Sequence, residues 1–265
     1  MTIRVEGIGV WGPGMTDWSS CQTVLNGAGL PEEAKCGDPP AATLSPQERR
    51  RSIATARLAV EVAGQACAAA GRQDARDYAT VFSSSGGDLA TLGNICETLA
   101  RDPRLLSPTR FHNSVHNAPG GYWGIASGCE RASTSLSAGP ASFAAGLLEA
   151  ATQCAVEEAP VMLVAYDLPG PAPLADVCGI AIGFAVALAL TPAGANDAPA
   201  LSLHFETTPV AETVMQDAVL EALRLGNPAA RCLPLLSALA AGDIRDVVMD
   251  GGGDDRLVVT VARPE

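Results

Sequence analysis

At 265 residues the chain is long enough for one large domain or two small ones, and its 48% hydrophobic content supports a sizeable core. Only 4% is aromatic, so that core must be built from Ala, Val, Leu and Ile. A net charge of −12 argues against nucleic acid, whose affinity rests on Lys and Arg neutralising phosphates. No apolar run approaches the ~18 residues of a membrane span.

Thr2 to Val10 alternates apolar residues and reads as a strand, and no apolar stretch of signal-peptide type follows Met1. Asp17 to Asn26 reads as a short helix. Gly27 to Ser52, rich in Pro, Gly and charge, reads as loop. Ile53 to Ala70 is a helix with Ala and Val at helical spacing, Tyr78 to Ser84 a strand, and Gly87 to Arg101 a helix. The stretch from Ser107 to about Asn113 is expected to be irregular. Ser133 to Ser137 is a short strand, Pro140 to Ala150 a small-residue helix, and Val161 to Ala165 a buried strand. Gly179 to Leu190 is an uninterrupted apolar strand of the kind buried on both faces. After a Thr191 to Ala200 loop come a strand (Leu201 to Glu206) and helices over Val210 to Leu225 and Leu233 to Ala241. A closing hairpin pairs Asp246 to Asp250 with Arg256 to Arg263 around Gly251-Gly-Gly-Asp-Asp255. Strands alternating with helices predict an α/β fold with a mostly parallel sheet.

Several motifs suggest sites. Gly7-Ile-Gly-Val-Trp-Gly-Pro-Gly14 mimics a dinucleotide-binding loop, but Pro13 interrupts it and no second strand with a terminal acid follows. No cofactor is expected. Phe82-Ser-Ser-Ser-Gly-Gly-Asp88 is read as a strand-to-helix turn, although its N–H groups are of the type that cradle an anion. His112 and His116 stand four apart, yet a metal needs a third ligand, so they are read as surface or interface residues and no metal is expected. Gly251 to Asp255 lacks Ca²⁺-loop spacing. His204 should face solvent beside Ser202, opposite Leu201, Leu203 and Phe205. The eight cysteines, scattered without a Cys-x-x-Cys pair, read as free thiols of a reducing compartment.

The run Ser107-Pro-Thr-Arg-Phe-His-Asn-Ser-Val-His-Asn117, then Ala118-Pro-Gly-Gly-Tyr-Trp-Gly-Ile-Ala126, the strand from Ser133, the helix from Pro140 and the strand Val161-Met-Leu-Val-Ala165 resembles the heart of a β-ketoacyl synthase of the thiolase superfamily. The resemblance spans about residues 1 to 190 and fades beyond. It implies a thiolase-like α/β fold, a truncated β-ketoacyl synthase layered α-β-α-β-α, with 1–190 as a ketosynthase-like half and 191–265 as a reduced second half packed on it. In that family a nucleophilic Cys stands where the strand turns into the helix. Here the ungapped slot falls on Pro140, and the two His of the second half have no counterpart, since only His204 follows residue 190.

Nucleophile-less relatives of this family are chain length factors, and this chain looks most like those of aryl polyene pigment clusters. The resemblance therefore implies a cytoplasmic, catalytically silent partner of a ketosynthase in a heterodimer. Thr109, Arg110, Phe111, His112, Asn113, Ser114 and Asn117 would reach the partner's acyl pocket. Acyl carrier proteins are acidic, so a chain of net −12 is expected to meet one only through its partner. Two rivals are an enzyme using Cys129 or another thiol, and a purely scaffolding subunit.

Overall fold

The computed structural model describes residues 1–30, 34–71, 74–194, 197–208 and 210–262. In chain order the elements are β1 (Thr2–Trp11), α1 (Trp18–Thr23), α2 (Pro46–Arg51), α3 (Ala54–Ala69), β2 (Ala79–Ser83), α4 (Leu89–Arg101), α5 (Pro108–Asn113) and α6 (Ala118–Ser127). There follow β3 (Ser133–Leu136), α7 (Ser142–Glu157), β4 (Val161–Asp167), α8 (Leu174–Cys178), β5 (Phe184–Pro192), β6 (Ala200–Glu206), α9 (Ala218–Gly226), α10 (Leu233–Ala241), β7 (Arg245–Asp250) and β8 (Arg256–Ala262).

One sheet holds all eight strands in the order β3-β2-β4-β5-β1-β6-β8-β7. Only β3, β2 and β4 pair in parallel; every other neighbour pair is antiparallel. The expectation of a mostly parallel sheet is therefore corrected to a mixed one. β5 returns antiparallel beside β4, with Val164 opposite Ala187.

Alternation places Val161, Leu163 and Ala165 of β4 on one face and Met162, Val164 and Tyr166 on the other, and the whole strand is buried. The first face packs on α7 and α10 through Phe143, Leu147, Leu235 and Leu236. The second packs on α3 and α6 through Leu58, Val62 and Trp123. β7 and β8 also pack on α10, so the core of the first face runs unbroken across Leu190 into the second part of the chain.

The glycine loop after Met1 serves packing. A Cβ on Gly7 would lie 2.2 Å from the Ala66 carbonyl oxygen, and one on Gly9 would lie 2.1 Å from that of Val62. β1 thus sits against the backbone of α3, and the site of the mimicked pyrophosphate is filled by protein. Gly9→Ala should lower the urea midpoint by an amount equivalent to about 3 kcal/mol, because backbone must move to relieve the clash. An unchanged midpoint would contradict this packing.

Several elements depart from the sequence reading. The loop expected over Gly27 to Ser52 contains α2, started by a capping box in which Ser45 and Glu48 satisfy each other's backbone N–H groups. Residues 31–33 of that loop lie outside the described residues, as do residues 195–196 of the Thr191 to Ala200 loop and Arg263 of the last strand. The strand expected from Gly179 begins only at Phe184, because Gly179 caps α8 in a left-handed conformation. The helix expected from Val210 begins at Ala218, where Asp217 accepts from the Val219 and Leu220 N–H groups. Thr213 instead runs beside β7, exchanging hydrogen bonds with Val248.

Candidate functional site

The Ser107 to Asn117 segment is helical where irregular chain was expected. Ser107 caps α5, Pro108 occupies its first turn, and Pro119 does the same for α6. α2, α5 and α6 enclose an open groove of about 900 Å³. Thr109, His112, Asn113 and Asn117 line it, together with Glu48, Arg51, Tyr122 and Ile125. A polar chain links its walls, with Asn113 buried at its centre. Asn113 Nδ2 donates to the Arg51 carbonyl at 3.1 Å, and the Tyr122 hydroxyl lies 3.0 Å from that carbonyl and 3.2 Å from Asn113 Oδ1.

The other three candidates lie outside the groove lining. Phe111 is 60% exposed, Arg110 donates to Asn94 Oδ1 on α4, and Ser114 Oγ donates to the Phe111 carbonyl at 2.8 Å. Glu48, Arg51 and Tyr122 were missing from the sequence reading. Only the capping box at Ser45 signalled that α2 exists.

At the β3-to-α7 junction, a 3-10 turn (Gly139–Ala141) places exposed Pro140 two residues before α7. The small cleft beside it, with room for a single water, is lined by Glu212, Thr213, Arg224 and Arg231 and contains no thiol or imidazole. Arg224, 4% exposed, pairs with Glu221 at 2.7 Å and Glu212 at 3.0 Å, and Arg231 shares Glu212 at 3.2 Å. Arg224 holds the Glu221 carboxyl below its ordinary value. The nearest hydroxyl in sequence on the helix, Ser142, is buried and committed locally: Oγ donates to the Gly139 carbonyl at 2.7 Å and accepts from Ala138 N–H at 3.0 Å.

The Ser/Gly turn after β2 does cradle an anion, and that anion is the protein's own. Asp167, at the end of β4, accepts from Ser84 Oγ (2.8 Å), Ser85 N–H (3.2 Å) and Gly86 N–H (3.0 Å). Burial pushes its carboxyl up to about 6, against the opposing pull of these donors and of nearby His116, whose Nε2 donates to the Ser84 carbonyl at 3.1 Å. The folded carboxyl thus binds its proton more tightly than the unfolded one, near 3.9. Its contribution to stability is full below about pH 4 and is lost as pH rises through 6, a change of about 3 kcal/mol. Denaturant midpoints from pH 4 to 7 should therefore fall more steeply for the wild type than for Asp167→Asn. Parallel curves would contradict the assignment.

His112 and His116 do not share a helix face, since α5 ends at Asn113. His204 is exposed as expected, opposite buried Leu201 and Leu203, but Phe205 is also 48% exposed near the strand's end. The hairpin turns through Gly252 and Gly253 at positive φ. Among the described residues, no cluster of three or more His, Cys, Asp or Glu side chains is placed to hold a metal. All eight cysteines are free. Burial pushes Cys21 up to about 12 and Cys36, Cys67 and Cys154 up to about 11, which holds them as neutral thiols. Cys129 follows the C-terminal cap of α6, and its Sγ contacts the Tyr78 carbonyl at 3.2 Å. Among the described helices, none is long and apolar enough to cross a membrane.

Comparison with solved structures defines the fold. A chain of "Ketosynthase (ApeO) in Complex with its Chain Length Factor (ApeC) from Xenorhabdus doucetiae" aligns at TM-score 0.71 and 23% identity, covering 98% of this chain and 99% of that one. A chain of the ishigamide ketosynthase/chain length factor aligns at TM-score 0.76 and 14% identity, covering 100% of both. A chain of a type II polyketide synthase acyl-carrier protein–ketosynthase complex aligns at TM-score 0.74 and 11% identity, covering 99% of both. The fold is the thiolase-like ketosynthase fold. The family model described as "Beta-ketoacyl synthase, N-terminal domain" matches residues 16–241, and the chain belongs to that family. Likeness therefore continues well past Leu190, where the sequence resemblance was expected to fade. A search of curated proteins finds no match.

Proposed function

We propose that the chain is a catalytically silent, cytoplasmic subunit that pairs with an active ketosynthase, as a chain length factor of the aryl polyene type does. The observation that carries this reading is the α7 N-terminus. The nucleophile slot holds Pro140, the hydroxyl of Ser142 is buried and bonded, and a closed ion-pair cluster occupies the adjoining cleft. Pairing has a matching surface: Phe111, Val115 and Ile125 are exposed around a groove that has the volume of a ligand site. In this reading the partner supplies Cys and both His. This chain supplies the facing wall through Thr109, His112, Asn113 and Asn117, with Arg110, Phe111 and Ser114 on its outer rim. In this reading residues 191–265 act as a reduced second half, whose strand β6 adds to the sheet beside β1.

Co-expression with a ketosynthase tests the pairing. The two chains should co-elute, and the melting temperature of this subunit should rise in the complex, because a partner that binds only the folded state stabilises it. A stable interface of this kind buries on the order of 2,000 Å² or more. A well-behaved monomer at micromolar concentration, with no gain on adding the synthase, would overturn the reading.

A further inference from the structure

α2 is a wall with no core of its own. Its residues, Pro46-Gln-Glu-Arg-Arg-Arg51, include no apolar side chain after the proline, and none of the six is buried. Helices this short are marginal in water, and most helical stability in proteins comes from packing an apolar face. α2 has no such face, yet Glu48 and Arg51 form one side of the groove of about 900 Å³. The capping box at Ser45 and Glu48 starts the helix, and buried Leu44 anchors the chain just before it. Neither fixes the far end of α2 against α5 and α6.

Two side chains do. Asn113 Nδ2, from the last residue of α5, donates to the Arg51 carbonyl at 3.1 Å across 62 residues of sequence. The Tyr122 hydroxyl, from α6, donates to the same oxygen at 3.0 Å across 71. Among the described residues, no other hydrogen bond or ion pair ties α2 to anything beyond residues 44–52. The Arg51 carbonyl is one of the four that a helix C-terminus leaves without an intrahelical partner, and the two donors fill both of its lone pairs. Asn113 is 4% exposed, so its amide has little access to water if this contact is lost. The Tyr122 hydroxyl also lies 3.2 Å from Asn113 Oδ1. Its one hydrogen serves either acceptor, and the three groups close a triangle where α2, α5 and α6 meet.

We propose that Asn113 and Tyr122 are positioning residues that hold α2 as the third wall of the groove and so set its width. The latch itself rests on the geometry. Its use, to fix how much of the partner's acyl chain the groove admits, rests on the proposed function. Asn113 then shapes the wall through α2 as well as directly. A wall held by two hydrogen bonds yields where one held by packed core does not. Loosening the latch therefore changes the width of the groove without disturbing the sheet beneath.

The run Arg49-Arg50-Arg51 makes α2 its own reporter, because trypsin cuts after arginine where the backbone opens locally. With the full chain, initial cleavage after these three residues, read by mass spectrometry, should rise about tenfold in Asn113→Ala/Tyr122→Phe. Tyr122→Phe alone, which removes one oxygen, should move it in the same direction if the double variant misfolds. Cleavage after exposed Arg131, in a different surface groove, should not change. Unchanged cleavage at α2 in both variants, or an equal rise at Arg131, would overturn the latch. Paired with a ketosynthase, Tyr122→Phe should broaden the product distribution toward longer chains while the melting temperature of the complex stays nearly the same, a split that a merely structural role would not produce. Loosened α2 with unchanged product length in an intact heterodimer would overturn the positioning role. Failure of the wild type to pair would overturn the proposed function and the use of the latch with it, while the cleavage result still decides the latch itself.

Discussion

Purified alone, the chain should form no β-ketoacyl product from acyl and malonyl carrier-protein substrates, and Pro140→Cys should leave it inactive. A cysteine at position 140 would sit at the start of α7, where the helix N-terminus lowers a thiol pKa. Reactivity toward iodoacetamide should therefore appear in the variant. Turnover should not, because condensation also needs donors aimed at the developing oxyanion and at the departing carbon dioxide, and groups that act as a unit give little when restored singly. The cleft beside residue 140 has Arg224 and Arg231 already neutralised by Glu212 and Glu221. Their hydrogen-bonding capacity is committed to the fold, and His204 lies on an exposed strand face. Mass spectrometry of the reaction, with synthase contamination excluded, decides it. Product from the wild-type chain would make this an enzyme and return the thiol rival to consideration, and product from the variant alone would show that the nucleophile is the one missing group.

Much of this architecture was legible because it depends on short-range patterns. β4 and β5 are continuous apolar runs, and their burial on both faces follows from helices packing on each side. The last hairpin was legible from its glycines. Strand direction was not, because a doubly buried apolar run looks the same in either sense and the pairing of β5 with β4 and β1 is a long-range contact. The first part of the Val210 to Leu225 helix failed for a tertiary reason: Thr213 bonds to β7, and Glu212 is drawn into the Arg224 cluster. The groove was half legible. The α5–α6 segment stood out by resemblance, but the opposite wall belongs to α2, about sixty residues earlier, and nothing local links Arg51 to Asn113 and Tyr122. The Asp167 contact was hidden for the same reason: the turn's anion lies eighty residues away and is fixed only by β2 pairing with β4.

The groove makes the pocket-shaping role testable at one well-placed position. Gly121 lies on α6 in the groove wall, has no need of a positive φ, and a Cβ added there meets nothing within 4 Å. A larger side chain can therefore enter without displacing the core, and loss of an exposed helical glycine favours the helix by up to about 1 kcal/mol. Gly121→Phe should fold and pair normally, yet fill part of the groove. If the growing chain ends against this wall, the heterodimer should make a shorter product or stall, since steric exclusion in a packed tunnel is abrupt. Thr109→Ala should act in the opposite direction and lengthen it. Phe111→Ala was the natural opening substitution from sequence alone, but its ring is exposed beyond the groove lining, so its effect should fall on pairing affinity more than on product length. Product length by mass spectrometry, read beside the melting temperature of each heterodimer, separates the two roles. Should Gly121→Phe and Thr109→Ala both assemble normally and leave the product unchanged, the wall does not measure the chain, and the subunit acts only by supporting its partner's fold.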